Sequence, residues 1–393
     1  MFRSDWGDAQ LATVTTLKAV VLVGGAQKVF CISSSFTAET LMRGGGGMGK
    51  ESAASYVVLL RFPQPGLFPG YLEEPEALGT ACGLYHFRSI LLENNPNALF
   101  VLNADVCGDL PIAEMAHELA IKPDAHGLLL TTEATREQSV NYGAVVIDSS
   151  GKVLHYVDKP TTFVSQNISC GVYLLRANVI ERIGRARKCS DAKQVWFETD
   201  IFPQMASESE LYALKTKRWW SQTKTAAAVL YANRHYLRLY HASDPSRLCR
   251  DRAQIVGDVF IDPSAEIDPT ARIGPNVSIG AKAKIGAGVR VRESIVLAEA
   301  VIHKHACVLH SVIGWRSVVG AWARIEGTPI SPNPNIPFAK LDNKPLFNID
   351  GRLNPSLTIL GSDVHVLAET VILNSIVLPY KELTSSCKNQ IIL

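Results

Sequence analysis

The chain has 393 residues, with 39 Lys and Arg against 37 Asp and Glu, and 47% of its residues are hydrophobic. This near balance of charge argues against a nucleic-acid binder, which needs a basic stripe, and the length favours two domains. No apolar run approaches the roughly 20 residues that span a bilayer, and the N-terminus lacks the pattern of a signal peptide, so we expect no membrane association. The eight cysteines form no CxxC pair, which predicts a reduced, cytoplasmic chain without structural zinc.

The N-terminal part of the chain predicts an α/β domain. Residues 17–25 form an apolar, β-branched run that ends in two glycines, as a buried strand followed by a tight turn would. A second buried strand is predicted at 98–102, with Asp105 just beyond its carboxyl end, where ligands of open α/β sheets bind. The other predicted elements are a helix at 84–93, strands at 127–132, 142–147, 153–157 and 171–175, and an amphipathic helix at 225–241.

From Ile255 onward, aliphatic residues recur at every sixth position. The first run has seven members, and the period resumes twice: 255, 261, 267, 273, 279, 285 and 291, then 295 to 325, then 360 to 378. Neither helical nor strand periodicity produces this spacing, whereas a chain that coils around three flat faces does. The pattern predicts a left-handed parallel β-helix of hexapeptide repeats at 251–393, in which each coil buries its aliphatic residues against neighbouring coils.

A proline-rich segment at 327–356 interrupts this period. Six prolines occur in it, and proline removes the backbone donor that a ladder strand needs. The segment therefore predicts a long loop inserted into the β-helix. Loops of this length are uncommon unless they are functional or disordered, so a tolerated insertion and an interaction arm both stay open.

Short motifs precede the β-helix in a fixed order: Gly24-Gly25, Leu78-Gly79-Thr80, Asn103-Ala104-Asp105, Asn141-Tyr142-Gly143, Asp158-Lys159-Pro160 and Cys170-Gly171-Val172-Tyr173. Together they resemble the sugar-nucleotide pyrophosphorylases, most closely the alpha-type, regulatory GDP-mannose pyrophosphorylases of animals. Longer stretches support this resemblance, such as FVLNADVCGDLP at 100–111 and CVLHSVIGWRSVVGAWARIEGTP at 307–329. It implies a Rossmann-like nucleotidyltransferase domain at 17–242, preceded by an unrelated extension at 1–16.

The resemblance also implies a nucleotide-sugar site. In this family a sugar 1-phosphate attacks the α-phosphorus of a nucleoside triphosphate, and two aspartates hold Mg²⁺. Asp105 matches the first metal ligand, whereas Gln222 in Trp220-Ser221-Gln222 replaces the second aspartate, and a neutral amide is a poor Mg²⁺ anchor at a triphosphate. No residue is assigned as catalytic. Glu74 and Gln222 would contact GDP-mannose, and the full implied substrate-binding set is Glu74, Gln222, Gly24, Gly25, Gly79, Asn141, Gly143, Asp158, Lys159 and Asn167.

Residues 29–70 depart from the family pattern. They contain neither the Gly-Thr-Arg segment nor the downstream Lys-Pro that would cradle the triphosphate. We therefore expect a nucleotidyltransferase domain that is incomplete at its first crossover, with disorder or weak structure over 29–70.

The leading functional hypothesis is a regulatory subunit that binds GDP-mannose, restrains a catalytic beta-type guanylyltransferase subunit and self-associates. An active nucleotidyltransferase that makes GDP-mannose from GTP and mannose 1-phosphate is the alternative, and only this role would need Mg²⁺ as a cofactor. A hexapeptide acyltransferase would use His303, His305 or His310 as its base, although histidines on the outside of a coil are the simpler interpretation. A ligand-free scaffold is the fourth hypothesis.

Overall fold

The computed structural model describes residues 17–23, 56–61, 70–73, 78–93, 95–190, 194–223, 226–249, 254–329, 346–349, 351 and 353–393. The chain forms two compact units, and the second begins at Thr223. The first is a mixed α/β unit and the second is a β-helix with a preceding α-helix, which confirms the predicted fold class. No helix among the described residues is both long and apolar enough to cross a membrane.

The α/β unit alternates strands and short helices. In chain order its elements are β1 Leu17–Val23, β2 Tyr56–Arg61, β3 Gly70–Glu73, α1 Gly79–His86, α2 Arg88–Leu91, β4 Ala98–Asn103, β5 Val106–Gly108, α3 Ile112–Ala120, β6 Gly127–Glu133, α4 Arg136–Ser139, β7 Ala144–Ile147, β8 Val153–Val157, β9 Asn167–Arg176, α5 Val179–Ser190, a π-helical turn Phe197–Ile201, α6 Phe202–Ser207, β10 Leu211–Lys215 and β11 Trp220–Gln222.

Nine of these strands form one mixed sheet. Its main path is β10-β6-β9-β4-β1-β2-β3, and β7 pairs with both β9 and β8. The pairs β1–β4 and β6–β10 are parallel, whereas β9 runs antiparallel to both β4 and β6. The eight inner residues of β9 are all buried, because helices cover both faces of the sheet.

Two hydrophobic cores lie on opposite faces of this sheet, because successive side chains of a strand point to opposite sides. Leu99 and Val101 of β4 pack with residues of α1, α5 and α6. Their neighbours Ala98 and Phe100 pack instead with Met115 and other residues of the α3 side. The sheet is thus held between two layers, and the carboxyl end of β4 is available for a site.

The expectation of disorder or weak structure over 29–70 is wrong for residues 56–61. The apolar run Tyr-Val-Val-Leu-Leu forms β2, which pairs antiparallel with β1 on one side and with β3 on the other. Since β-branched and aliphatic residues favour strands, an unpaired edge of β1 can recruit this run. The sheet therefore continues antiparallel beyond β1. The remainder of the segment up to Pro69 lies outside the described residues.

The β-helix has three faces, each a parallel sheet. Its strands are β12 Val259–Ile261, β13 Glu266–Ile267, β14 Arg272–Ile273, β15 Val277–Ile279, β16 Lys284–Ile285, β17 Arg290–Arg292, β18 Ile295–Val296, β19 Val301–Ile302, β20 Cys307–Leu309, β21 Ser311–Ile313, β22 Val318–Val319, β23 Arg324–Glu326, β24 Thr358–Leu360, β25 His365–Val366, β26 Val371–Leu373, β27 Ile376–Val377, β28 Glu382–Leu383, β29 Cys387–Lys388 and β30 Ile391–Ile392. The first, second and third faces begin with β12, β13 and β14.

The predicted six-residue period is confirmed as the stacking of inward aliphatic residues in its first run. In the later runs its register is wrong by one residue at Val301, Cys307 and Leu378, where Ile302, Val308 and Val377 are the buried residues. On the second face the register pairs Ile267, Ile285, Ile302, Val319, Val366 and Leu383 in successive coils. The shift in period after Val291 falls at a corner where Glu293 adopts a φ of 49°. Each coil therefore buries its aliphatic residues against the coils on either side.

The insertion at 327–356 leaves the ladder intact. The strands β23 and β24 flank it, yet β21 pairs with β24 and β23 pairs with β26 as in uninterrupted coils. Of the inserted residues that the structure describes, Phe347 and Leu353 form an isolated antiparallel bridge. Residues 330–345, 350 and 352 lie outside the described residues, and the interaction role of the segment stays a prediction.

The predicted helix at 225–241 is α7, Ala226–Ser243, and it packs on the first face. Leu237 and Tyr240 form a small cluster with Leu248 and Phe260. Polar contacts from this helix to the coils are described below. The N-terminal strands of the first face are therefore in contact with a helix of their own unit.

Candidate functional site

A two-stranded ribbon brings Asp105 and Gln222 together. The strand β11 pairs antiparallel with β5, and the register places Gln222 opposite Val106, the residue that follows Asp105. The Oε1 atom of Gln222 is buried and accepts no hydrogen bond from any described residue. The two residues predicted from the sequence to lie at one metal position thus meet at the same end of this ribbon, beyond the carboxyl end of β4.

Trp220 fixes this ribbon to the main sheet. Its indole Nε1 donates a hydrogen bond of 2.9 Å to the carbonyl oxygen of Cys170 in β9. Its ring also meets the ring of Tyr142 edge-on, with centroids 5.8 Å apart. Burial raises the pKa of Tyr142, and the negative charge of Asp105 raises it further. The ribbon, β9 and the turn at 141–143 therefore pack against one another.

The turn at 141–143 is held by close backbone contacts. Gly143 has no room for a side chain, because a Cβ atom there would lie 2.3 Å from the hydroxyl oxygen of Tyr156. The carbonyl oxygen of Gly143 accepts a hydrogen bond of 2.8 Å from Ser169, and that of Tyr142 accepts one of 3.2 Å from the backbone of Lys159. The predicted residues Asn141, Gly143, Asp158 and Lys159 are thus brought together, and Asn167 lies beside them at the start of β9.

A second, partly buried polar network lies on the other face of the sheet, because Tyr173 and Phe197 belong to the core on the α1 side whereas Trp220 belongs to the core on the α3 side. The hydroxyl of Thr80 donates to Oε2 of Glu198 at 2.6 Å and accepts from the backbone N–H of Phe197 at 2.9 Å. The hydroxyl of Tyr173 donates to Oε1 of Glu198 at 3.4 Å. One carboxylate therefore joins the start of α1, the π-helical turn and β9. π-Helical turns occur frequently at functional sites.

Burial controls the ionisation of this network. It raises the pKa of Glu198, and the nearby charge of Asp158 raises it further. Burial likewise raises the pKa of Tyr173 and Tyr156, with the charge of Glu198 as the second cause. Glu198 therefore stays protonated to a higher pH than an exposed glutamate does.

Comparisons with known proteins agree with this arrangement. Residues 17–238 match the family described as Nucleotidyl transferase, and residues 255–392 match the one described as GMPPB C-terminal domain. The chain belongs to the nucleotidyl transferase family. The mannose-1-phosphate guanylyltransferase regulatory subunit alpha-A of Danio rerio is 48% identical over 342 residues, which span 82% of this chain and 81% of that relative. The regulatory subunits alpha of Rattus norvegicus and Drosophila melanogaster are 49% identical over 343 residues and 50% over 355, with the same shares.

The positions inferred from the family resemblance divide into three groups. Gly24, Gly25 and Glu74 lie outside the described residues. Gly79 lies at the start of α1, beside Thr80, and is therefore next to the polar network that contains Glu198. The remaining predicted residues surround the ribbon and the turn at 141–143.

Glu198 is the site residue that the sequence analysis missed. Its partner Thr80 is far away in the chain, so local patterns do not connect the two residues. The one available signal was an acidic residue within the apolar segment Val195–Ile201, whose neighbours Phe197 and Ile201 are fully buried. A carboxyl group in such a position is usually paired, because burying an unpaired charge is costly.

The donor set does not fit the two-aspartate Mg²⁺ site of this nucleotidyl transferase family. Asp105 supplies a carboxylate, but Gln222 supplies a neutral amide oxygen at the second position. Mg²⁺ at a triphosphate favours charged oxygen ligands, so these two residues provide half of the expected charge. Among the described residues, no group of three or more His, Cys, Asp or Glu side chains is arranged to hold a metal ion.

The three histidines considered as acyltransferase bases lie on the outside of the coils. His303 and His305 are exposed, and the His305 ring stacks on that of Trp322 with centroids 4.3 Å apart. His310 is half-buried, and burial lowers its pKa. These environments suit histidines that pack at β-helix corners.

The ionisation of Glu198 gives a testable pH dependence. Because its raised pKa means that the folded chain holds this proton more tightly than the unfolded chain does, stability falls as pH rises above the 4.5 usual for glutamate. Glu198→Gln keeps the shape of the side chain but cannot ionise. It should therefore remove the part of the pH dependence of the unfolding free energy that Glu198 causes. Urea unfolding at intervals from about pH 5 to about pH 8 measures it.

Glu208→Gln is the matched control for this experiment. A hydrogen bond from Arg182 lowers the pKa of Glu208, so its contribution has the opposite sign and its loss should not flatten the same slope. An unchanged slope in Glu198→Gln would show that Glu198 ionises normally in the folded chain.

Proposed function

We propose that this chain is a regulatory subunit of mannose-1-phosphate guanylyltransferase, which binds GDP-mannose and restrains a catalytic beta-type subunit. The observation that carries the proposal is the pairing of Gln222 with Val106, the residue that follows Asp105. Catalysis would need a second carboxylate at position 222, and Gln222 is neutral. The names of the relatives support the regulatory role. A site with one carboxylate in place of two binds Mg²⁺ weakly. It therefore suits binding of a ligand better than a reaction that depends on Mg²⁺.

The geometry of this site supports nucleotide-sugar binding. The buried Gln222 Oε1 atom has an unused acceptor, which a hydroxyl or amino group of a ligand would satisfy. Beside the turn at 141–143, Asp158 and Lys159 form an ion pair of 3.8 Å in which Lys159 is largely exposed and can also contact a phosphate. We expect Asn141, Asn167 and the backbone at Gly143 to contact the sugar.

Isothermal titration of the full chain tests this proposal directly. GDP-mannose should bind in the presence of EDTA, because Mg²⁺ is not a required cofactor of the regulatory role. UDP-glucose serves as the control ligand. Absence of heat with GDP-mannose from a folded chain would refute ligand sensing and favour the ligand-free scaffold.

An active nucleotidyltransferase is the second candidate, because the family resemblance implies that Asp105 is one of the metal ligands. This candidate requires the isolated chain to release pyrophosphate from GTP and mannose 1-phosphate when Mg²⁺ is present. We expect no release above a blank reaction. Turnover by the chain without any partner would establish the enzyme and overturn the regulatory proposal.

Gln222→Asp should create a divalent-ion site without creating an enzyme. The second carboxylate would join Asp105, so binding of Mn²⁺, followed by paramagnetic broadening or calorimetry, should strengthen by at least about tenfold over the original chain. Gln222→Asn is the control, because it shortens the side chain without adding charge. Equal Mn²⁺ affinity in both variants would show that Asp105 and position 222 do not share a site.

The proposed assembly contains the catalytic subunit and further copies of this chain. Size-exclusion chromatography with light scattering of the chain alone, and after mixing with the catalytic subunit, tests both associations. We propose a cytoplasmic location, which agrees with the absence of disulfides among the described cysteines.

A further inference from the structure

The three faces of the β-helix carry different charges. The helix α7 contacts the N-terminal coils at the first face, where Ser278 donates a hydrogen bond of 2.6 Å to Asn233 and Arg234 pairs with Glu293 at 2.7 Å. On the second face, Lys284 pairs with Glu266 at 3.3 Å. The third face presents arginines at its N-terminal end. Among the described residues, these arginines have no hydrogen bond or ion pair with α7 and no acidic partner like Glu266 of the second face.

Three exposed arginines form this basic patch: Arg272, Arg290 and Arg292. The register of the parallel sheet pairs Arg272 directly with Arg290 in the next coil. Arg292 lies two residues beyond Arg290 on the same side of β17. Strand geometry therefore separates the Cα atoms of the first pair by about 4.8 Å and those of the second by about 6.6 Å.

The patch contrasts with other exposed charges of the same solenoid. Arg324 pairs with Glu326 at 2.5 Å, and Arg316 pairs with Asp363 at 2.6 Å. Within the part of the chain that the structure describes, no carboxylate forms an ion pair with any of the three patch arginines. Like charges directly opposite one another destabilise a sheet, so the isolated unit carries an unbalanced charge here.

The rest of this face resembles a protein interface in its composition. The patch adjoins Cys307 and Leu309, which are partly buried and pair with Arg290 and Arg292 on the neighbouring strand β20. Flat surfaces that combine arginine with apolar side chains are typical of interfaces, in which arginine is enriched. A two-fold axis that passes through the patch would place arginines against arginines, which disfavours a second copy as the occupant in that arrangement.

We propose that an acidic segment of the catalytic subunit docks on this patch. The proposal rests on the proposed regulatory function and names the surface that carries it out. An extended segment with carboxylates at alternate positions matches the spacing of Arg290 and Arg292, and a third carboxylate reaches Arg272. Guanidinium groups bind carboxylates in a bidentate manner, which gives such a contact direction as well as charge.

The test compares charge reversal on the patch with reversal elsewhere. The variant Arg272→Glu/Arg290→Glu keeps a like-charge pair in the sheet but inverts its sign. The control Lys188→Glu/Lys217→Glu changes the net charge equally at exposed lysines of the α/β unit. Affinity of each full chain for the full-length catalytic subunit is measured by calorimetry at low and at moderate salt.

The patch variant should bind the catalytic subunit at least about tenfold more weakly and with a smaller salt dependence, whereas the control should bind as the original chain does. The single variant Arg272→Glu forms an opposite-charge pair with Arg290, so its Tm should be equal to or above that of the original chain although its binding weakens. An unchanged or raised Tm together with weaker binding separates docking from folding. If the arginines only stabilised the fold, both the Tm and the affinity would fall.

Three results would overturn the inference. Equal affinity of the patch variant and the original chain would leave the regulatory function standing and refute this surface. Loss of self-association with unchanged affinity for the catalytic subunit would make a second copy the occupant. If the original chain fails to bind the catalytic subunit at all, the proposed function fails and the inference fails with it.

Discussion

Gly79→Ala should destabilise the α/β unit by about 2–4 kcal/mol and weaken GDP-mannose binding. Gly79 adopts a φ of 82°, and a Cβ atom there would lie 2.5 Å from the carbonyl oxygen of Val195. That oxygen accepts backbone hydrogen bonds from Ala81 at 3.0 Å and Cys82 at 3.4 Å. The added methyl group must displace it, which also moves Thr80 away from Glu198. Urea unfolding and titration with GDP-mannose measure the two effects.

Gly351→Ala is the matched control for this prediction. Gly351 has a similar φ of 74°, but a Cβ atom there would meet nothing within 4 Å. Gly351→Ala should therefore lower the free energy of unfolding by only about 1 kcal/mol, the cost of a positive φ for alanine, and leave ligand affinity unchanged. Equal losses in the two variants would show that close packing against Val195 has no effect on stability.

Ile302→Ala should destabilise the β-helix by about 2–5 kcal/mol. The Ile302 side chain is 1% exposed and stacks between Ile285 and Val319 of the adjoining coils. In a solenoid each coil contacts only its neighbours, so a cavity in a central coil weakens two interfaces at once. Thermal unfolding followed by circular dichroism near 218 nm should show an earlier transition of the strand signal.

Val301→Ala is the control from the same strand. Val301 is partly exposed, and its side chain lies on the opposite side of the strand from that of Ile302. Val301→Ala should lower the free energy of unfolding by less than about 1 kcal/mol, because removing its methyl groups leaves no buried cavity. If both variants unfold alike, the inward stack does not hold the coils together.

The two units differ in how much of their fold could be predicted from sequence. The β-helix repeats one local rule, so the period from Ile255 onward predicts the stacking that the register confirms. The α/β unit has no such repeat. Strands such as Val153–Val157 were predicted well, but their order was not, because a buried antiparallel strand such as β9 has the same apolar pattern as a parallel one.

The candidate site was predicted only in part, for a related reason. Asp105 could be placed from the end of a predicted strand, and Gln222 from the family resemblance. The ribbon that joins them consists of two strands of three residues each, too short to leave a pattern. Glu198 depends on a long-range contact with Thr80, and no local rule predicts that contact. The strand Tyr56–Arg61 lies in a segment without family motifs, so the family resemblance does not predict it. Its own apolar, β-branched run is the only local signal for it.

The way in which the ladder closes across the insertion has an evolutionary consequence. Because β21 and β23 find their partners in β24 and β26 whatever lies between, the chain can gain or lose residues at this point without changing any coil. Selection can therefore vary the length and chemistry of the inserted segment independently of the scaffold. Descendants of a common ancestor could acquire different appendages here while their coils stay superimposable.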